Sequence, residues 1–177
     1  MRSKPLIAVV VIVAPFAAWR IDQERQAGNH PKLSTTEQLI SHACDEAIAE
    51  ANQYDSVTLD YSLDSLKKVD TILSRVHDQY IRDPKSVPIN STSAEYGAYV
   101  GEVIRRNEPG TYWTTDSDKE GEKSYPLHWN GSEAFPITWC SKRIIHGDED
   151  SIQSKYAVYK IVTVQQKSRN GSEINQK

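Results

Sequence analysis

Apolar residues recur at helical spacing through the first half of the chain. Leu39, Ile40, Ala43, Ala47, Ile48 and Ala51 share one face, behind Ser34, Thr35 and Thr36 as capping residues and Glu37 in the first turn. This predicts a helix over about 36–53. Val57, Leu59 and Tyr61 then alternate with Ser56, Thr58 and Asp60, which predicts a short strand or an extended lead-in. From Ser62 onward, Leu63, Leu66, Val69, Ile72, Leu73, Val76 and Tyr80 form an amphipathic stripe, with Lys67, Lys68, Asp70, Arg75 and Asp78 opposite. Asp83-Pro84 ends this second helix, and Pro88 keeps the connection irregular.

A third helix is expected over about 93–107. Tyr96, Val100, Val103 and Ile104 make its apolar face, with Tyr99 beside it. Gly97 and Gly101 each cost up to about 1 kcal/mol relative to Ala inside a helix. Their spacing points to close approach of another backbone, and Pro109-Gly110 stops the helix. Residues 111–115 and 124–130 then read as an antiparallel hairpin around the charged segment 116–123, with Gly121 in the turn. Asn130-Gly131 makes a second turn, residues 133–135 a third strand, and Pro136 a helix start. Ile137, Cys140, Ile144 and Ile145 keep helical spacing up to Gly147, and Asp148 to Asp150 precede a last helix over 152 to about 166. The fold class expected is α+β, with helices packed on a small antiparallel sheet.

The N-terminus adds a separate unit. Arg2 and Lys4 precede the uncharged run 5–19, and Arg20 follows it. This fits a secretory signal segment or a short uncleaved anchor helped by snorkelling basic residues and Trp19. A cleavage site is poor: cutting after Ala18 leaves Phe16 three residues before the cut, and cutting after Ala14 leaves Pro15 just beyond it. The expected organisation is an anchor or signal at 1–27, a linker at 28–34, one domain at 35–167 and a polar tail at 168–177. Basic residues ahead of the run favour a single pass through the inner membrane with an exported C-terminal domain. The alternative is a periplasmic or secreted domain after cleavage.

Charge narrows the partners. Removing residues 1–27 takes Arg2, Lys4, Arg20 and Arg25 from 21 basic residues, and Asp22 and Glu24 from 24 acidic ones. The remaining 17 and 22 give a net charge of −5. An acidic domain without a basic stripe argues against a nucleic-acid partner. Two cysteines, Cys44 and Cys140, are either one long-range disulfide of an exported domain or two separate buried thiols. No cofactor motif and no metal motif is present, and the histidines at 30, 42, 77, 128 and 146 are dispersed.

Chemistry is concentrated in one region. Eight of the 15 aromatic residues lie from Tyr96 to Trp139, accompanied by Glu95, Glu102, Asp116, Asp118 and His128. Read as structure, the aromatics build the core between helix and sheet while the charges solvate its outside. Read as function, Tyr99, Glu102, Trp113 and Trp129 are ligand-binding candidates, and Glu102 and His128 are catalytic candidates lining the same groove. Tryptophan faces beside carboxylates suit a glycan or a peptide. A hydrolase would also need two carboxylates at a defined separation.

The sequence Gly97-Ala98-Tyr99-Val100-Gly101-Glu102 is followed by Trp113, by Phe135-Pro136, by Lys142-Arg143-Ile144 and by Gly147. In order and spacing this resembles a family of small bacterial domains of unknown function, over about residues 56–165. The resemblance implies a bacterial α+β domain and no particular activity. The function expected is a membrane-anchored or exported envelope protein acting as a binding or accessory module. The alternatives are an envelope hydrolase acting on glycan or peptide, and an immunity-type protein that binds a toxin. Expected partners are the membrane through residues 5–19 and a protein or glycan of the envelope.

Overall fold

The structure, a computed structural model, describes residues 34–174. The expected anchor or signal segment lies outside these residues. Among those described, no helix is long and apolar enough to cross a membrane.

Helix α1 spans Thr35–Asp55. Its start is a capping box: the Ser34 hydroxyl accepts from the Glu37 amide at 3.2 Å, and the Glu37 carboxylate accepts from the Ser34 amide at 2.8 Å. Ile40, Cys44, Ala47 and Ala51 form its buried face. The helix ends on Ser56, whose φ of 53° is left-handed.

The alternating segment 56–61 forms no strand: Ser56 and Tyr61 at its ends are left-handed, and no strand lies beside it. Its polar groups bond to helices instead. Val57 donates to the Ala51 carbonyl at 3.0 Å, the Thr58 carbonyl accepts from Lys68 at 2.8 Å, and the Tyr61 amide donates to the Tyr99 hydroxyl at 2.8 Å. Asp60 gathers the turn before the next helix, accepting from the Ser62 and Ser65 hydroxyls, each at 2.6 Å.

Helix α2 (Ser65–Arg82) buries Leu66, Val69, Ile72, Leu73 and Val76, as its stripe demands. A 3-10 turn at Pro84–Ser86 follows. Helix α3 (Ile89–Asn107) begins about four residues earlier than the sequence suggests. Pro88 restricts the residue before it and leaves the backbone after it free to turn helical. Every residue of α3 from Tyr96 to Ile104 is buried, so the helix is enclosed on all sides. It packs on α1 and on α4, the helix at Pro136–His146.

A three-stranded antiparallel sheet in the order β1-β2-β3 lies between α3 and α4 in sequence. Its strands are Tyr112–Trp113, Leu127–Trp129 and Ser132–Ala134. Tyr112 faces His128 and Trp113 faces Leu127 across β1 and β2. Asn130 (φ 49°) and Gly131 (φ 79°) form the two-residue turn between β2 and β3, the pair of positive φ angles that Asn-Gly accommodates. After α4, a 3-10 turn at Gly147–Asp150 leads into α5, Ile152–Ile174. That helix runs beyond the expected end near residue 166 and takes in most of the expected polar tail.

Cys44 and Cys140 are free thiols, not a disulfide. They lie on α1 and α4, which pack on α3. Both are at most 1% exposed.

Candidate functional site

Glu102 is where the expected site and the observed one separate. It sits on α3, 7% exposed, and each carboxylate oxygen has protein partners. Arg105 donates through Nε at 2.6 Å and Nη2 at 3.0 Å, Arg106 through Nε at 3.2 Å, and the Trp113 indole Nε1 at 3.0 Å. Burial pushes the carboxyl pKa up, but the hydrogen bonds from Arg105 and Trp113 and the charge of Arg105 outweigh it and hold it below the ordinary value. A general acid needs the opposite shift, toward the working pH. The arrangement suits a clamp that fixes β1 to α3. Gly101 makes room for it: a Cβ there would stand 2.1 Å from Cζ2 of Trp113. Arg106 also lies 3.4 Å above the Tyr61 ring centre.

The sheet divides the other candidates. Successive side chains on a strand point to opposite faces. Leu127 and Trp129 are buried while His128, between them, is half-exposed on the outer face. Trp129 is 1% exposed and stacks on Tyr156 and Tyr159, with ring centres 5.7 and 5.4 Å away. Tyr99, wholly buried, stacks on Tyr61 at 4.9 Å. Trp129 and Tyr99 therefore offer no open ring face to a ligand. His128 bonds the Thr114 hydroxyl at 2.9 Å, stacks on Tyr112 at 4.7 Å and lies 3.8 Å from Glu133. The structure brings Glu102 and Trp113 together, but His128 and Trp129 cannot line one groove.

The sequence reading places Asp70 on the solvated face of α2, but Asp70 is buried, as is Arg143. Arg143, 3% exposed, donates through Nε to Asp70 at 2.7 Å and through Nη2 to Asp148 at 2.8 Å. Asp70 also accepts from the Ser151 hydroxyl at 2.6 Å and the Ile152 amide at 3.3 Å. Burial raises the Asp70 pKa, and the bonds from Ser151 and Arg143 more than offset this and lower it. The signal was available for Arg143, which lies three residues past Cys140 and next to Ile144 on the apolar side of α4.

No family model, no curated protein and no solved structure matches the chain. Among the described residues no group of His, Cys, Asp and Glu could hold a metal ion.

Two open clefts meet at Phe135. One, of about 710 Å³, lies on the outer side of the sheet with Asp118, Lys119, His128 and Glu133 at its edge. The other, of about 810 Å³, lies between the first turns of α3 and α4 and the 120–125 loop. Volumes of this order accommodate a small ligand.

Proposed function

We propose that the chain is a bacterial envelope protein that acts by binding rather than by catalysis. Residues 5–19 hold it in the inner membrane with an exported domain, or direct its release to the periplasm after cleavage. The observation that carries the binding reading is the commitment of Glu102. The acid at the centre of the aromatic region is ion-paired with two arginines and hydrogen-bonded by an indole, and two of the expected aromatic platforms are core residues. A hydrolase acting on glycan or peptide would have to draw its acids from the outer cleft, where Asp118, Glu133 and His128 converge.

A second reading, an immunity-type protein that neutralises a toxin, draws on the acids Glu46, Glu50 and Glu95. Burial raises the Glu50 and Glu95 pKa values, and repulsion within the trio raises them further. A basic partner would relieve that repulsion.

Fractionation with protease accessibility tests the main reading. The full-length protein should sit in the membrane or periplasmic fraction, with its domain cleaved by protease added to spheroplasts but not to intact cells. Recovery only from the soluble cytoplasm would sink it.

A further inference from the structure

From the cleft between α3 and α4 we infer a binding site for a small organic phosphate monoester. Ser93 is the decisive residue. It lies one helical turn before Gly97 on the same face of α3. At Gly97 the two helices touch so closely that a Cβ would meet Ile137 Cα at 2.4 Å. Ser93 therefore sits at the floor of the cleft, where α3 and α4 begin to part. It is 2% exposed, and its hydroxyl has no hydrogen-bond partner among the described residues. A buried hydroxyl left without a partner is destabilising, and a ligand oxygen would satisfy it.

The charges around it are mostly positive. Lys123 comes from the loop, Lys142 from α4 and Lys155 from the first turn of α5, all lining the same cleft with Glu120 as its one acid. Lys155 is held by Asp150, while the Lys123 and Lys142 ammonium groups have no ion-pair partner among the described residues. Neither α3 nor α4 has a side-chain cap at its start, so first-turn amides add partial positive charge. Lysines bind phosphate as point charges, without the planar fork that arginine offers. Tyr125 and Trp139 form the apolar wall that an organic substituent would cover.

This site gives a ligand class to the binding reading and rests on it. The two fail separately: fractionation can stand while titration fails, and the reverse. Full-length protein in neutral detergent is titrated with phenyl phosphate and with inorganic phosphate, read by calorimetry. Saturable binding is expected, tighter for phenyl phosphate, and stronger at pH 7.5 than at pH 5.5 because the second phosphate pKa is about 6. Lys142→Glu and Ser93→Ala should each weaken it about tenfold or more, by loss of a charge-assisted contact. Lys67→Glu, the same charge change on α2, should leave it unaltered. Absence of saturation by about 10 mM, an affinity near 3 kcal/mol or less, would overturn the site. So would equal weakening by Lys142→Glu and Lys67→Glu, since that would reduce it to diffuse charge.

Discussion

Replacing Gly97 with alanine tests the packing that holds the molecule together. The new Cβ would stand 2.4 Å from Ile137 Cα and 2.7 Å from Ile137 N. Carbon atoms rest about 3.5–4.0 Å apart, so α4 must retreat by roughly 1 Å or more. A gap of that size forfeits about a quarter to a half of the dispersion energy of the facing atoms. Here those include Tyr96 and Val100 on α3 and Cys140 and Ile144 on α4, each at most 2% exposed. Overpacking costs about 1–3 kcal/mol, with backbone contacts toward the upper end, and alanine returns about 1 kcal/mol of helix propensity. Adding the lost contact, the expected net destabilisation is about 2–3 kcal/mol, seen as a lower guanidinium midpoint at unchanged slope.

Gly101→Ala supplies the contrast. Its Cβ would strike atoms of the Trp113 ring at 2.1 and 2.3 Å, a side chain that can move. Its movement would break the 3.0 Å bond to Glu102, worth about 1.5–3 kcal/mol for a charged acceptor. Trp113→Leu should therefore rescue Gly101→Ala, with a coupling of about 2 kcal/mol in a double-mutant cycle. Ile137→Ala should not rescue Gly97→Ala, because the obstruction is main chain. A neutral Gly97→Ala, or its rescue by Ile137→Ala, would refute the assignment of backbone contact.

Three further outcomes follow from the buried polar groups and thiols. Asp70→Ala should cost about 3 kcal/mol by taking away the buried partner of Arg143 and leaving it only the exposed Asp148, whereas the pair replacement Asp70→Leu with Arg143→Met should cost far less; thermal unfolding of the two variants compares them. Burial, reinforced by the charge of Glu102, pushes the Cys44 thiol up to about 12, and burial raises Cys140 as well. Neither thiol should react with a disulfide reagent at pH 8 until denaturant is added, when both should. Stability should pass through a maximum in mild acid. Glu102 and Asp70 are depressed, so their contribution is present above the unfolded values of about 4 and lost as pH falls through the folded ones. Glu50 and Glu95 are raised, so the folded state takes up protons first and stability falls as pH rises through their folded values. Glu50→Gln with Glu95→Gln should flatten the neutral side of the profile in pH-dependent melts.

Helix faces were readable because a 3.6-residue period survives any neighbour. The buried sides of α1 and α2 were accordingly expected, apart from Leu39 and Leu63, which are exposed, as was the close approach of another backbone at Gly97; at Gly101 the neighbour is the Trp113 ring. The sheet was readable less completely. Its strands and turns were evident, yet His128 and Trp129 were assigned to one groove although adjacent strand residues face apart. Segment 56–61 failed for another reason: alternation describes any half-buried extended chain, and only a neighbouring strand makes it part of a sheet. The Asp70–Arg143 pair was out of reach, since its members are 73 residues apart and Asp70 alone looks like a surface charge.

The lysines of the inner cleft pose the question that stability does not answer. Cations favour the last turn of a helix and are disfavoured in the first. Arg143 and His146 occupy the last turn of α4, whereas Lys142 precedes it, exposed and unpaired. Lys155 lies in the first turn of α5, the unfavourable end, and needs Asp150 to hold it there. Lys123 adopts a left-handed backbone (φ 55°), as does Tyr125 two residues on (φ 47°), conformations that cost energy for any residue but glycine. Two unpaired lysines and one held by Asp150 thus line, against local preference, the cleft whose Ser93 hydroxyl the fold leaves without a partner. In a domain of net negative charge, solubility is already served by its acids. Asn90 and Ser93 line this cleft from the first turns of α3, whose middle from Tyr96 to Ile104 is sealed by its neighbours. The function of that helix must be sought where it opens to solvent, and at its N-terminal end the chemistry selects an anion.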